Sequence, residues 1–262
     1  MAVREKKSVE PELREAMECP PEQIVSRVPR ASEAFLHGIL LNPGCNRNHV
    51  LRILSRSSLP PQLLRRMVES RRWISHHRIR AAIANHPSTE STVTLGLLGH
   101  LLWRDLARVA GNPKINPRIR RKAERILEGR SGELTLGEKV ALARIAPRGI
   151  IASLRTQEDP KVVNALLDNA RITEDDALAI ANRSRKPEIL RSVGEHRLWG
   201  QRYGVRLALL RNLRMPVHLA LRILPELRPG DVEKLAKNPQ VPRIVRVAAR
   251  KLISPEEKLE CR

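Results

Sequence analysis

The sequence predicts an all-α chain, a solenoid of short helices, and three observations carry that expectation. Apolar residues make up 41% of the chain but aromatics only 2%, so the core must be built from Leu, Ile, Val and Ala. Thin aliphatic packing of this kind suits stacked helices better than a sheet sandwich. Nineteen prolines are spread along the chain rather than gathered in a tail, and they punctuate many short elements. No stretch sustains the period-2 alternation of a strand, whereas amphipathic runs of about 8–14 residues recur between turn signals.

Taken in order, residues 1–31 are polar, with charges of both signs and prolines at 11, 20 and 21. They read as a mobile arm with one short helix, Pro11–Met17. The repeat domain spans 32–254 and opens with Ser32 as N-cap of a helix over Glu33–Leu41. From Leu40 the pattern becomes regular and returns about 126 residues later, giving one copy at about 40–127 and a second at about 166–253. Pro61, Leu64, Arg65, Glu69 and Trp73 match Pro187, Leu190, Arg191, Glu195 and Trp199. Asp105, Ala110, Asn112, Pro113, Arg120 and Ala123 match Asp231, Ala236, Asn238, Pro239, Arg246 and Ala249. Matches at nearly constant offset over so long a span mark an internal duplication. Turn signals at Pro60-Pro61, Asn85-His86-Pro87, Asn112-Pro113, Asp159-Pro160, Asn169, Pro187 and Asn238-Pro239 subdivide the copies. Thr135 and Glu138 form a capping box that opens a helix over Leu136–Ile145, and Thr173 with Asp176 marks another start. Residues 255–262 form a short tail.

The unit that recurs most plainly is Asn112–Leu127, N-P-K-I-N-P-R-I-R-R-K-A-E-R-I-L, repeated as Asn238–Ile253. Ile119, Ala123, Ile126 and Leu127 fall at i, i+4, i+7 and i+8 and make one apolar stripe, with Arg118, Arg121 and Arg125 opposite. The second proline enters at the first turn, where its missing N–H costs nothing. Helices this short need neighbours to hold them, and repetition supplies the neighbours.

An Ile/Val-Arg pair leads into an Ala-containing helix four times, at Ile79-Arg80, Ile119-Arg120, Val205-Arg206 and Val245-Arg246, and Asp159-Pro160 precedes Val162. With the Asn-Pro turns, this resembles the HEAT-like α-solenoids, particularly their leucine-rich-variant type, over roughly residues 32–254. The resemblance implies a right-handed solenoid of short HEAT-like helical repeats. It also implies that Arg120 and Arg246 join a ladder with Asp105 and Asp231. It implies little about function, because such arrays bind many unrelated partners.

Charge is the main functional signal. The net charge is +21, with 38 Arg to 11 Lys, and the two copies carry +13 and +9 while the flanking segments are near neutral. Basic side chains on successive helices would line an edge that tracks a polyanion. The candidate residues are Arg65, Arg66, Arg71, Arg72 and Arg78, then Arg118, Arg121 and Arg125, and in the second copy Arg202, Arg243 and Arg250. Phe35, Trp73, Trp103, Trp199 and Tyr203 are the only aromatics, too few for single-strand stacking. Nucleic acid, if bound, is a duplex held through its phosphate backbone. An acidic protein partner is the alternative, and the oligomeric state stays open. Trp73 and Trp199 occupy matching positions and read as core.

Catalysis and cofactors find no support. No Walker, dinucleotide-binding or nucleophile-elbow pattern is present, and His76-His77, His86 and His100 lack metal-ligand spacing. The expectation is therefore a non-enzymatic module with no cofactor and no metal. The HEAT-like alkylpurine DNA glycosylases offer a minor alternative through Trp103 and Asp105. Cys19, Cys45 and Cys261 are far apart, so neither a disulfide framework nor a zinc site is indicated. With no apolar leader and no membrane-length apolar run, a cytoplasmic location is expected.

Overall fold

A computed structural model describes residues 2–253, and every regular element among them is helical. The tail at 255–262, with Cys261, lies outside the described residues. The chain divides into two compact units at Arg130/Ser131. The first holds α1 (Ala2–Glu18), α2 (Pro21–Arg27), α3 (Glu33–Leu41), α4 (Arg47–Leu54), α5 (Pro61–Glu69), α6 (Arg71–Ile74), α7 (His77–Ala84), α8 (Ser91–Leu98), α9 (Trp103–Gly111) and α10 (Pro117–Arg130). The second holds α11 (Leu136–Ile145), α12 (Arg148–Leu154), α13 (Pro160–Leu167), α14 (Glu174–Arg183), α15 (Pro187–Glu195), α16 (Tyr203–Arg211), α17 (Val217–Ile223), α18 (Pro229–Lys237) and α19 (Arg243–Ile253). None of the helices is long and apolar enough to cross a membrane, among the described residues.

Helices pack on their chain neighbours, as α9 on α10 and α18 on α19, and on helices two or three further along. In the first unit α1 packs on α3, α3 on α5 and α8 on α10, while α2 packs on α4 and α4 on α7. In the second, α11 packs on α13, α13 on α15, α14 on α16 and α17 on α19. The core is aliphatic, as the composition requires. Ile24, Ile39, Ile53, Leu63, Ile79, Leu106 and Leu127 are fully buried in one unit, and Leu142, Ile150, Leu166, Leu190, Leu209 and Leu219 in the other. Trp73 and Trp199 are both buried.

Short helices expose many terminal carbonyls, and asparagines near helix ends satisfy them. Asn42 Nδ2 donates to Ala16 O and Cys19 O, both at 2.9 Å, while its Oδ1 accepts from Gly44 N–H. Asn169 repeats this with Ala143 O at 2.7 Å, Ala146 O at 3.2 Å and Arg171 N–H at 2.8 Å. Asn212 repeats it with Ala181 O, Ser184 O and Arg214 N–H. In each case one amide closes its own turn and ties that turn to a helix end some two dozen to three dozen residues earlier. Other side chains do the same work between these points. Arg56 donates to Val28 O and Ala31 O, Trp199 Nε1 to Leu167 O at 3.0 Å, and Arg130 to Leu101 O and Gly99 O.

Two sequence expectations are corrected. The one short helix expected over Pro11–Met17 is instead the longer α1, followed by α2 and a 3₁₀ turn over Val28–Arg30, and this segment buries Ala16, Cys19, Ile24 and Val28. Helix α1 lies so close to α3 that a Cβ on Gly38 would fall 2.5 Å from Ala16 Cβ and from Leu13 O. Ala16, Cys19 and Pro20 correspond to Ala143, Ala146 and Pro147, so the duplication reaches back past Leu40 to α1, with α11 as its counterpart. The arginine–aspartate ladder is also absent. Asp105 pairs with Arg108 on its own helix at 3.5 Å, and Asp231 accepts from Tyr203 Oη at 2.6 Å and from Lys234. Arg120 and Arg246 are half-buried with Nε enclosed and unpaired, and Arg206 pairs with Glu226 at 2.6 Å. The aspartates stand in the first turns of α9 and α18, where a cation one turn on is within easier reach than one on the next helix.

Candidate anion-binding cleft

A cleft lined by three arginines, two of them without a carboxylate partner among the described residues, lies at α7 and α9 of the first unit. Helix α7 turns Ile79, Ile83 and Ala84 into the core, which leaves His77, Arg78, Ala81, Ala82 and Asn85 along one open edge. Helix α9 buries Leu106, Val109 and Ala110 and presents Leu102, Arg104, Asp105 and Arg108. With Leu51 of α4 these residues line a cleft of about 610 Å³. The small Ala81 and Ala82 side chains keep its floor low. Arg104 and Arg108 stand one turn apart on the same side of α9, so their guanidinium groups share the cleft.

Electrostatics argue that these cations are not there for stability. Arg78 and Arg104 occupy the first turns of their helices, where the helix dipole disfavours positive charge by about 0.3–1 kcal/mol each. Neither has a carboxylate within ion-pair distance among the described residues; Arg104 lies over the Trp103 ring at 5.1 Å, which leaves its N–H edge available. The N-cap residues His76 and Leu102 give no side-chain cap to the first-turn N–H groups of α7 and α9. The cleft is thus lined by three arginines and by residues at the starts of two helices that have no side-chain cap. Both recruit the same kind of ligand, an anion with several acceptor oxygens. Asp105 is nearly buried at the edge of the cleft, and Arg108 offsets its charge.

Of the candidate residues read from the sequence, only Arg78 enters this cleft. Arg65, on α5, pairs with Glu90 at 2.7 Å. Arg66 is exposed on the same helix; burial, with the field of Arg66 added, pushes His37 below the usual histidine range. Arg71 is exposed on α6. Arg72 is committed to the fold: it donates to Asn42 O, Pro43 O and Cys45 O and lies over the Trp73 ring at 4.2 Å. Arg118, Arg121 and Arg125 are exposed along α10, opposite Ile119, Ala123 and Leu127 as their spacing requires, but α10 does not line the cleft. In the second unit Arg202 faces Glu174 at 3.9 Å, Arg243 is exposed at the start of α19, and Arg250 Nε donates to Ala236 O at 3.4 Å.

Sequence reasoning missed Arg104 and Arg108, having considered only Trp103 and Asp105 in that helix. The signal was the i, i+4 arginine pair on the polar side of a helix whose apolar side is Leu106, Val109 and Ala110. Among the described residues no group of His, Cys, Asp and Glu is arranged to hold a metal ion. Comparison with protein-family models, with curated proteins and with solved structures returns no match to this chain.

Proposed function

We propose that the protein is a non-enzymatic binding module, a right-handed HEAT-like solenoid working in the cytoplasm, that takes a polyanion in the α7–α9 cleft. The observation that carries the reading is that Arg78, Arg104 and Arg108 line one cleft at two uncapped helix starts. The favoured ligand is duplex nucleic acid held through its phosphates. Scarce aromatics argue against base stacking, and a net charge of +21 favours encounter with any extended anion.

The test is duplex DNA binding by the purified chain across about 50–200 mM salt. Three arginines engaging three phosphates correspond to a log–log slope near −2.7, a loss of about 40-fold over that range. Replacing Arg78 and Arg104 by alanine is expected to make the slope shallower by about two. Absence of binding at the lowest salt rejects the reading. An acidic peptide of equal charge that binds more tightly than DNA moves the assignment to a protein partner.

A further inference from the structure

The duplication allows the cleft to be compared with its own counterpart. Helices α14, α16 and α18 correspond to α4, α7 and α9, and the first turns align without a gap. Leu51 becomes Leu178, Ala82 becomes Ala208 and Asp105 remains as Asp231, but Ala81 on the floor becomes Leu207, so the frame is kept in part. Two cationic positions of the lining are not kept, Arg78 becoming Gly204 and Arg104 becoming Gly230; Arg228 and Arg211 stand instead at the places of Leu102 and Asn85, and outside the lining Arg47 at the start of α4 becomes Glu174.

Three cations around the counterpart have partners within the second unit. Lys234, in place of Arg108, pairs with Asp231 at 3.2 Å. Tyr203, in place of His77, donates its hydroxyl to the same carboxylate at 2.6 Å, and Arg228 lies over its ring at 4.8 Å. Arg202 faces Glu174 at 3.9 Å.

Neither glycine is required by the backbone or by packing. Both lie within helices, where glycine costs about 0.5–1 kcal/mol relative to alanine, and no glycine among the described residues has positive φ. A Cβ at Gly230 would meet nothing within 4 Å. One at Gly204 would come no nearer than 3.4 Å to Glu174 Oε1 and 3.5 Å to Leu178, the edge of ordinary contact. What the glycines supply is the absence of a side chain.

We infer that the second unit carries a silenced copy of the anion cleft, switched off at Glu174, Gly204 and Gly230, so that the two halves of the duplication have diverged into one binding and one non-binding face. The inference rests on the proposed role of Arg78 and Arg104, and the experiment separates the two. In the full chain, R78G/R104G is combined with E174R/G204R/G230R, and duplex DNA affinity is measured at fixed salt. A matched control places the same charge change elsewhere in the second unit as G132R/G137R/E188R; Gly132 and Gly137 face open space and Glu188 is exposed.

R78G/R104G alone is expected to weaken DNA binding by about 10-fold or more. The restored variant should recover to within about threefold of the parent while the control recovers less than half of the loss on a logarithmic scale. Equal recovery by the control and the restored variant overturns the inference and leaves the first cleft intact as a site. No loss on R78G/R104G overturns the cleft reading, and the inference with it. Far-ultraviolet circular dichroism of each variant identifies any that has failed to fold; for one that has, G230R alone in the R78G/R104G background is compared with G137R alone under the same criteria.

Discussion

Asn169 to Ala removes a side chain that closes three hydrogen bonds from a buried position. Nδ2 donates to Ala143 O and Ala146 O, and Oδ1 accepts from Arg171 N–H. Each bond contributes about 1 kcal/mol net, and stranding a buried carbonyl costs about 1–3 kcal/mol, so the expected destabilisation is about 3–4 kcal/mol. Asn238 to Ala is the internal reference, because its Oδ1 accepts only from Gln240 N–H and its side chain is half exposed. Its cost is about 1 kcal/mol or less. Urea unfolding followed by circular dichroism reads both. With a slope of about 3 kcal/mol per molar, the Asn169 variant should shift the midpoint down by about 1 M and the Asn238 variant by about 0.3 M. Equal shifts would refute the tie between consecutive turns as a main source of stability. Asn169 to Asp sharpens the test. Its carboxylate would set an oxygen against two carbonyl oxygens, so its folded pKa would rise and the variant should regain stability as pH falls.

The other predictions concern buried titratable groups. Asp176 is buried beneath Arg148 and Arg155 and accepts from Thr173 N–H and Oγ1; burial pushes its carboxyl up, but Arg148 and Thr173 outweigh that and hold it below the usual aspartate range. Its contribution is therefore present above the ordinary carboxylate pKa and lost as pH falls through the lowered value. Asp176 to Ala should cost about 1–3 kcal/mol at neutral pH, read by urea unfolding, because the Thr173 cap and two partly exposed arginines lose their partner. His86 is held neutral, with burial lowering its pKa while Nε2–H donates to Arg56 O and Nδ1 accepts from Ser88 N–H. The unfolded chain takes up that proton first, so thermal stability should decline below about pH 6.5, and less steeply in His86 to Gln. An unchanged pH slope in that variant would show that His86 does not carry the effect.

What was legible in the sequence was whatever a residue encodes with its chain neighbours. Thr135 and Glu138 cap α11 as a capping box, and that helix runs over Leu136–Ile145. Of the stripe Ile119, Ala123, Ile126 and Leu127, Ile126 is half-buried and the other three are buried. What escaped depended on distance in space. Among the described side chains, residues 10–30 bury only Ala16, Cys19, Ile24 and Val28, and this segment is also held by an approach to Gly38 and by the Asn42 amide. No apolar periodicity announces such contacts. The Asp176 cap was read correctly as a local signal, but the two arginines that converge on it come from positions 148 and 155. Arg72 looked like surface charge because its acceptors, the carbonyls at 42, 43 and 45, lie in another turn. For the cleft, the spacing of Arg104 and Arg108 was visible, but that Arg78 lines the same cleft depends on where the fold places α7 and α9.

The asparagine bonds have a direction. In each, the donor lies later in the chain than the carbonyls it satisfies, by 23 to 26 residues at Asn42 and Asn169 and by 28 to 31 at Asn212. During synthesis a helix end therefore waits for its partner to be made. At about 5–20 residues per second that wait is on the order of one to several seconds, long compared with the formation of the helix itself. Each new turn completes the one before it, so nascent chains should acquire protection stepwise from the N-terminal side, with the most recently made helix always the least secured.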